Sequence, residues 1–210
     1  MRARAVVLRD GEHKIALACV DLVGLQYPEV LRIRQALPDY QYVMVSSTHN
    51  HEGPDVIGIW GASPIQRGVD DAYVDLVVER TVSAIRQAEK KLAPAEAAFG
   101  TASDETLVGD SRLPKVKDGV IRLLRFSPPD GGAPLGLLVQ WTCHPEAMGS
   151  RNTLVTADFV AATVAKLTTQ FGCPVAYFSG AVGGLMAPPD GLIRDGQGKI
   201  LEEGDFAYSD

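Results

Sequence analysis

Two of the four histidines in the chain stand two residues apart, directly after a run of apolar residues. His49 and His51 follow residues 41–47, which have the composition of a buried strand. Side chains two positions apart on an extended backbone point to the same side. The two imidazoles could therefore face one point, and zinc is an ion that imidazole groups bind in proteins. This spacing predicts a metal site with hydrolytic chemistry.

A third histidine follows another predicted strand. His144 lies after residues 135–142, within Thr-Cys-His-Pro-Glu. Ligands of open α/β sheets bind at the carboxyl ends of the strands, so three imidazoles would meet there if the two strands are near neighbours. A catalytic zinc ion typically takes three protein ligands and leaves one position for water. The alternative, which the residues leave open, is a structural histidine at each place.

Four acidic residues lie where they could accept hydrogen bonds from these imidazoles. Glu52 and Glu146 stand beside histidines, while Asp21 ends a predicted strand and Asp158 begins a predicted helix. Histidines that bind a metal usually donate their other ring N–H to such an acceptor. Each acid also has an ordinary explanation, because Asp158 suits the positive end of a helix dipole and a glutamate in a loop can be solvated.

Arg112, within Gly-Asp-Ser-Arg-Leu-Pro, is a candidate for stabilising an oxyanion, and a solvated loop arginine is the alternative. The turn from Gly180 to Gly184 follows a strand and could offer backbone N–H groups to an anion. It lacks the Gly-Lys-Ser/Thr of a P-loop. Ser179 lacks the G-x-S-x-G frame of a nucleophile elbow, so we interpret it as structural.

Apolar periodicity predicts alternating helices and strands around these residues. Alternation at period two predicts a hairpin that turns at Asp10 and Gly11, and wider stripes predict helices. The loop at residues 52–68 is long for a connector and suits a lid or a binding loop. No repeat or linker divides the chain, so we predict a single catalytic-type domain of the α/β class, with mixed β-sheet layers and flanking helices. The predicted strands are residues 3–8, 14–20, 41–47, 96–101, 120–126, 135–142 and 174–178, and the predicted helices are residues 28–37, 70 or 71 to 90, and 157–171.

Length and composition bound the class of function. The chain has 210 residues, of which 46% are hydrophobic and 22% charged, as expected of one globular domain with a core. A formal net charge of −6 without a basic cluster gives no footprint for nucleic acid, and no apolar run reaches the ~20 residues of a membrane span. Three widely spaced cysteines predict buried free thiols rather than a disulfide framework. The chain shows no signal-peptide pattern, and we expect it to be truncated at both ends relative to a longer protein.

Taken in order, these motifs resemble the N-terminal catalytic domain of the neutral/alkaline (non-lysosomal) ceramidase family, particularly its divergent bacterial members. The most specific of them is Ser-Ser-Thr-His-Asn-His-Glu-Gly-Pro at residues 46–54. The matches follow the family order over nearly the whole chain, so we interpret residues 1–210 as part of that domain. The other matches are Val-Asp-Leu at 20–22, Asp-Ser-Arg at 110–112, Cys-His-Pro-Glu at 143–146, Asn-Thr-Leu at 152–154 with Asp158, and Phe-Ser-Gly-Ala-Val-Gly-Gly-Leu-Met at 178–186.

The resemblance implies a zinc-dependent hydrolase of linear amide C–N bonds that splits ceramide, or a similar lipid-like amide, into sphingosine and a fatty acid. It implies that His49 and His144 bind Zn²⁺ and that His51 and Arg112 line the reaction centre. We expect His51 to handle protons there and Arg112 to stabilise negative charge. These zinc ligands differ from the three-histidine site that the residues alone suggest, and we prefer the family assignment. The family's remaining ligands, a glutamate and a tyrosine, are expected beyond residue 210. The resemblance also implies a secreted or cell-surface full-length protein, and it leaves the oligomeric state unknown.

The chain departs from the family pattern at one informative position. Where the family has a serine before proline, often assigned as the nucleophile, this chain has Ala187 before Pro188. Water activated by zinc could attack alone, the substrate could differ, or activity could be lost. The alternative function is therefore a catalytically inactive zinc- or lipid-binding relative, or a hydrolase of a different amide or ester.

Overall fold

Helices and strands follow each other along the chain much as the apolar pattern predicts. The computed structural model describes residues 1–63, 65–183, 186–189 and 194–201. Gly184, the last residue of the predicted turn from Gly180, lies outside these residues. The strands are β1 Ala3–Asp10, β2 His13–Val20, β3 Tyr42–Ser47, β4 Glu96–Ser103, β5 Gly109–Asp110, β6 Val120–Ser127, β7 Gly136–Trp141, β8 Val175–Ser179 and β9 Met186–Ala187, and the α-helices are α1 Tyr27–Gln35, α2 Asp71–Glu89 and α3 Phe159–Phe171.

The strands of the described residues form two mixed sheets and one short ladder. In the first sheet, of order β1-β2-β3, β1 and β2 form an antiparallel hairpin and β3 runs parallel to β2. In the second sheet, of order β4-β6-β7-β8, β8 runs parallel to β7 and the other pairs are antiparallel. The third unit pairs the two residues of β5 with the two residues of β9.

One face of the first sheet is covered by α1 and α2. Alternate residues of its strands, such as Ala16, Ala18 and Val43, pack against Ile33 of α1 and Ile85 of α2. Both isoleucines are fully buried, and burial of such a side chain stabilises the fold by about 1.5–3 kcal/mol. The helices therefore attach to this sheet through a continuous apolar layer.

The two sheets pack face to face. Cys19 of β2 belongs to the same buried cluster as Ala176 and Phe178 of β8, with Leu17 and Met44 packed against it. Side chains alternate between the two faces of a strand, so residues one position away from the helix-facing set point toward the second sheet. Both faces of β2, the central strand of the first sheet, are consequently covered by apolar residues, which explains its nearly continuous hydrophobic sequence.

The outer face of the second sheet is covered by α3. Leu137 of β7 and Val175 of β8 share a buried cluster with Phe159 and Val160 at the start of α3. The order of layers is therefore helices, first sheet, second sheet, helix. This arrangement confirms the predicted α/β class with mixed sheet layers and flanking helices.

Local signals fix where the helices begin and end. Pro28 stands in the first turn of α1, where a missing N–H costs nothing. Asp70 caps α2, since its carboxylate accepts hydrogen bonds from the backbone N–H groups of Ala72 at 2.9 Å and Tyr73 at 3.3 Å. α3 ends at Gly172, which has the left-handed φ of 65° that glycine adopts most readily.

Two sequence expectations about the whole chain can be compared with the structure. Cys19, Cys143 and Cys173 are free and buried, as predicted. Among the described helices, none combines the length and the apolar character required to cross a bilayer.

Candidate metal centre

The three imidazoles of His49, His51 and His144 meet at one place. The ring centroid of His49 lies 4.9 Å from that of His51 and 4.8 Å from that of His144, and the centroids of His51 and His144 are 5.7 Å apart. One nitrogen of each ring lies within 4.8 Å of the corresponding atoms of the others. A tetrahedral ion with Zn–N bonds of about 2.0–2.1 Å places its ligand nitrogens about 3.4 Å apart. Small side-chain movements would therefore bring these nitrogens to bonding distance of one ion.

Each of the three rings is held from behind by a hydrogen-bond acceptor. The Nδ1 atom of His49 lies 2.7 Å from the carbonyl oxygen of Val23, and that of His144 lies 2.8 Å from the carbonyl oxygen of Met186. The Nδ1 atom of His51 lies 3.0 Å from Oε1 of Glu146. Carbonyl and carboxylate oxygens only accept hydrogen bonds, so each Nδ1 carries the proton and donates. In the neutral rings this leaves the lone pair on Nε2, as in histidines that bind metals.

His49 reaches this position through an unusual backbone conformation rather than through a strand. β3 ends at Ser47, and His49 has a φ of 64°, in the left-handed region that costs a non-glycine residue about 1–2 kcal/mol. The N–H groups on either side of it still donate to the end of β2 and to the segment after it, from Thr48 to the carbonyl of Val20 at 2.9 Å and from Asn50 to that of Leu22 at 3.2 Å. The premise of an extended His-x-His segment was thus wrong, although the two rings do converge. They converge because the backbone turns at His49.

His144 is fixed by a single carbonyl group. Its backbone N–H donates to Met186 O at 2.8 Å, and its ring Nδ1–H donates to the same oxygen at 2.8 Å. Met186 belongs to β9, which pairs with β5. The orientation of this imidazole therefore depends on a two-residue strand that is distant in sequence.

Glu146 lies in the loop that follows β7, and Asp158 holds that loop. The carboxylate of Asp158 accepts from the N–H of Phe159 at 2.6 Å, which caps α3, and from the N–H of Met148 at 2.8 Å. Asp158 is 2% exposed, and burial raises the pKa of its carboxyl group. Within the described residues, Asp158 forms no hydrogen bond with an imidazole. It can therefore influence His51 only by fixing the loop that carries Glu146.

Asp21 also has partners other than the histidines. Its carboxylate forms an ion pair with Arg4 at 2.6 Å and accepts from the N–H of Arg2 at 2.9 Å. It is 1% exposed and stands two residues before Val23, whose carbonyl orients His49. Of the four acids that the sequence offered as partners of the imidazoles, only Glu146 bonds to one within the described part of the chain.

The loop at residues 150–156 is attached to the His-x-His segment. Asn50 is fully buried and donates to the carbonyl oxygen of Thr156 at 2.8 Å, and the N–H of Thr156 donates to the carbonyl of Glu52 at 3.2 Å. The carboxylate of Glu52 accepts a hydrogen bond from the side chain of Asn152. Glu52 therefore connects two loops, and burial raises the pKa of its carboxyl group.

The electrostatic surroundings of the histidines differ. Burial lowers the pKa of His49, against the opposing effect of its bond to Val23. The hydrogen bond to Glu146 raises the pKa of His51, and the same bond lowers the pKa of Glu146. His144 is 6% exposed, whereas the His51 side chain is 33% exposed. The two imidazoles with neutral carbonyl partners are thus the more buried, and the one with an anionic partner faces solvent.

Arg112 lies in an exposed loop that begins at β5. Its backbone N–H donates to Oδ1 of Asp110 at 2.9 Å. Asp110 pairs with Met186, the residue whose carbonyl orients His144. The topology thus attaches the Arg112 loop to the support of His144, and the role of its guanidinium group stays a prediction.

The donor set suits zinc or a similar transition metal. Imidazole nitrogen is a ligand that zinc, copper, iron and nickel all accept. Cys143 precedes His144 but is fully buried with its Sγ 3.6 Å from the carbonyl oxygen of His144, and burial raises the pKa of its thiol. Its thiol is therefore poorly suited to ionise and bind the same ion.

Sequence reasoning did not identify the two carbonyl groups that orient His49 and His144. A backbone carbonyl carries no residue signature, so Val23 and Met186 could be found only from the folded backbone. Val23 lies three residues beyond the end of β2, and the pairing of β2 with β3 that brings it to His49 is known only from the structure.

Comparison with known proteins gives a result at the level of the fold. No protein-family model and no curated protein matches the chain. The crystal structure of neutral ceramidase from Pseudomonas aeruginosa matches with a TM-score of 0.75 and 19% sequence identity, over 89% of this chain and 33% of that chain. A structure described as ceramidase complexed with C2 matches with a TM-score of 0.73 and 18% identity over the same shares.

The chain spans about a third of the length of these two structures. The resemblance predicted from the motifs is therefore confirmed as a likeness of fold, at an identity low enough to fit a divergent member. The chain has the fold of that third of a neutral ceramidase.

Proposed function

We propose that the protein is a zinc-dependent hydrolase that cleaves the amide bond of an N-acyl lipid of the ceramide type. One observation carries the proposal: three imidazoles converge with each Nδ1 bonded to an acceptor and each Nε2 left with its lone pair. The names of the structures that share the fold supply the substrate class.

His49 and His144 are the zinc ligands in this proposal. Both donate from Nδ1 to neutral carbonyl oxygens, and burial lowers the pKa of His49, which favours the neutral ring that a metal requires. When bound by these two histidines, zinc would supply Lewis acidity toward a carbonyl group and toward water near neutral pH.

His51 and Glu146 form the proton-transfer pair. The carboxylate 3.0 Å from Nδ1 stabilises the protonated imidazole, and the exposed side of the ring is open to a substrate. His51 can therefore accept a proton at Nε2 from the attacking water and give it to the leaving amine. Arg112 supplies positive charge that stabilises the tetrahedral oxyanion.

The first test removes a ligand from the full-length protein. His49→Ala is expected to lose both bound zinc, measured by atomic emission, and turnover of a fluorogenic N-acyl amide. His13→Ala is the matched control, because His13 is an exposed residue at the start of β2, far in sequence from the other histidines. Stoichiometric zinc in His49→Ala would contradict the ligand assignment.

The second test separates the two possible roles of His51. As a proton-transfer residue, His51→Ala is expected to keep zinc and to lower kcat by about 10²–10⁴-fold. As a third ligand, the same variant would lose zinc together with activity. Zinc content therefore decides between the two assignments independently of turnover.

A second candidate function is a zinc- or lipid-binding protein without catalysis. Ala187 of β9 favours it, because this residue has no hydroxyl group and the motif resemblance implies a serine at this position. Zinc-loaded wild-type protein that hydrolyses no member of a panel of N-acyl amides and esters, with and without chelator, would support this candidate. If the protein hydrolysed a different amide or ester, its assignment as a hydrolase would stand and only the proposed substrate would change.

A further inference from the structure

Asp110 is a buried carboxylate at the start of the loop that carries Arg112. It is 4% exposed, and its two oxygens accept hydrogen bonds from the N–H of Arg112 at 2.9 Å and from the N–H of Val116 at 2.8 Å. Apolar contacts do not close this loop, because Leu113 is 86% exposed and Val116 is 66% exposed. The two hydrogen bonds to the Asp110 side chain are therefore what fixes the conformation of this loop.

The same residue connects the loop to the support of His144. Asp110 is the antiparallel partner of Met186, and Met186 accepts two hydrogen bonds from His144. Antiparallel partners lie about 5 Å apart between Cα atoms, and successive Cα atoms are about 3.8 Å apart. The Cα atom of Arg112 therefore lies at most about 13 Å from that of Met186, so the loop starts beside the candidate metal centre.

We infer that Asp110 is a positioning residue, which holds Arg112 at a fixed place relative to His144. The inference rests on the proposed function, in which Arg112 stabilises negative charge beside the metal. Without the two hydrogen bonds that Asp110 accepts, the exposed loop at residues 111–117 would sample many conformations, and ordering each residue costs about 1–2 kcal/mol. A preorganised cation acts on a transition state without that cost.

A purely structural role for Asp110 makes a different prediction. Such a role would lower stability and weaken activity independently of Arg112, so the effects of the two substitutions would multiply. A positioning role acts through Arg112, so removing Asp110 costs little once the arginine is gone. The double variant distinguishes the two.

The experiment uses zinc-loaded full-length protein and hexylphosphonate, a tetrahedral anion, as the probe. Wild type, Asp110→Asn, Arg112→Ala and the double variant are compared by titration calorimetry, by zinc content and by kcat and KM for an N-acyl amide. Asp110→Asn keeps the size of the side chain and one acceptor oxygen, so it is expected to fold. Asp104→Asn and Lys115→Ala are matched controls, because Asp104 caps the short helical turn at Glu105–Leu107 and Lys115 is an exposed cation of the same loop.

We expect Asp110→Asn and Arg112→Ala each to weaken phosphonate binding by about tenfold, the size of one charge-assisted hydrogen bond. The double variant should bind within about twofold of Arg112→Ala. Zinc content should stay unchanged, kcat should fall more than KM rises, and both controls should bind as wild type.

The outcomes separate this inference from the proposed function. Wild-type affinity in Asp110→Asn, multiplying effects in the double variant, loss of zinc in Asp110→Asn, or no phosphonate binding by wild type would each overturn the inference. The expected binding pattern without amide turnover would support the inference while the proposed hydrolase activity fails. Zinc-dependent amide turnover, with phosphonate binding unchanged in Asp110→Asn, would support the proposed hydrolase and overturn the positioning role of Asp110.

Discussion

Replacement of Glu146 by glutamine tests the division of roles among the three histidines. The carboxylate is the only anionic partner recorded for these rings in the described residues, and it lies 3.0 Å from His51 Nδ1. Glutamine keeps the shape and can keep one hydrogen bond but removes the negative charge. In Glu146→Gln the protonated form of His51 therefore loses its main stabilising partner, while His49 and His144 keep their carbonyl acceptors.

The magnitudes predict a large kinetic effect and a small effect on stability. The two side chains are 33% and 37% exposed, so water screens the pair and its contribution to folding is about 0.2–1 kcal/mol. Loss of such a supporting partner typically lowers activity or metal affinity by about 10–100-fold. We expect kcat to fall by that factor, with unchanged zinc content and a melting temperature within a few degrees of wild type.

The assay is steady-state hydrolysis of a fluorogenic N-acyl amide, paired with metal analysis and thermal unfolding of the same samples. Glu52→Gln is the matched control, because the carboxylate of Glu52 is adjacent to His51 in sequence but bonds to Asn152. The control is expected to keep kcat within about threefold.

Two results would refute this reasoning. A Glu146→Gln protein with wild-type kcat and full zinc would show that the charge on the pair has no part in the reaction. A Glu146→Gln protein that loses zinc 10–100-fold more readily would place His51 among the metal ligands.

Two further predictions concern the scaffold. The hydrogen bond from Arg86, with other contacts, lowers the pKa of Asp39 below its ordinary 3.8 in the folded protein. As the pH falls, Asp39 of the unfolded chain therefore takes up a proton before Asp39 of the folded protein does. The stability that this bond provides above pH 3.8 is consequently lost on acidification. Asp39→Asn should therefore reduce the difference in urea-unfolding free energy between pH 7 and pH 3 by at most about 1 kcal/mol, since Asp39 is exposed; an unchanged difference would contradict this. In the loop after the histidine pair, a Cβ atom on Gly68 would overlap the carbonyl group of Trp60. Gly68→Ala should therefore lower the unfolding free energy by about 1–3 kcal/mol. Gly100→Ala is the control, because a Cβ atom there meets open space, and equal effects of the two substitutions would refute the packing argument.

The sequence predicted the elements well because each has a strong local signal. The hairpin at residues 3–20, for example, follows from strict alternation around a turn with Asp10 and Gly11, and the structure pairs Ala3 with Val20 as that register requires. α2 was predicted within about a residue at each end, since Asp70 is a strong capping residue. β5 and β9 were missed, because a two-residue strand has no period and is defined only by its distant partner.

The arrangement of the layers could be predicted only in part. An apolar strand buried on both faces can be covered by helices on both sides or by a helix and a second sheet, and the residue pattern is the same in both cases. The candidate site was expected at the edge of one open sheet. It lies instead where β3 of one sheet and β7 of another end near each other, and Ser179 at the end of β8 donates to the carbonyl of Thr48 beyond β3.

This difference between one sheet and two changes what a bound metal would do for the fold. His49 follows the first sheet and His144 follows the second, so an ion that binds both connects layers that otherwise meet through apolar contacts such as those of Cys19 with Phe178. A ligand that binds only the folded state stabilises it by about 2.7 kcal/mol at a free concentration of 100 times its Kd. The left-handed backbone at His49 costs about 1–2 kcal/mol, which is smaller than this gain. An ion bound by both histidines would therefore contribute more to the stability of the fold than the left-handed backbone at His49 costs.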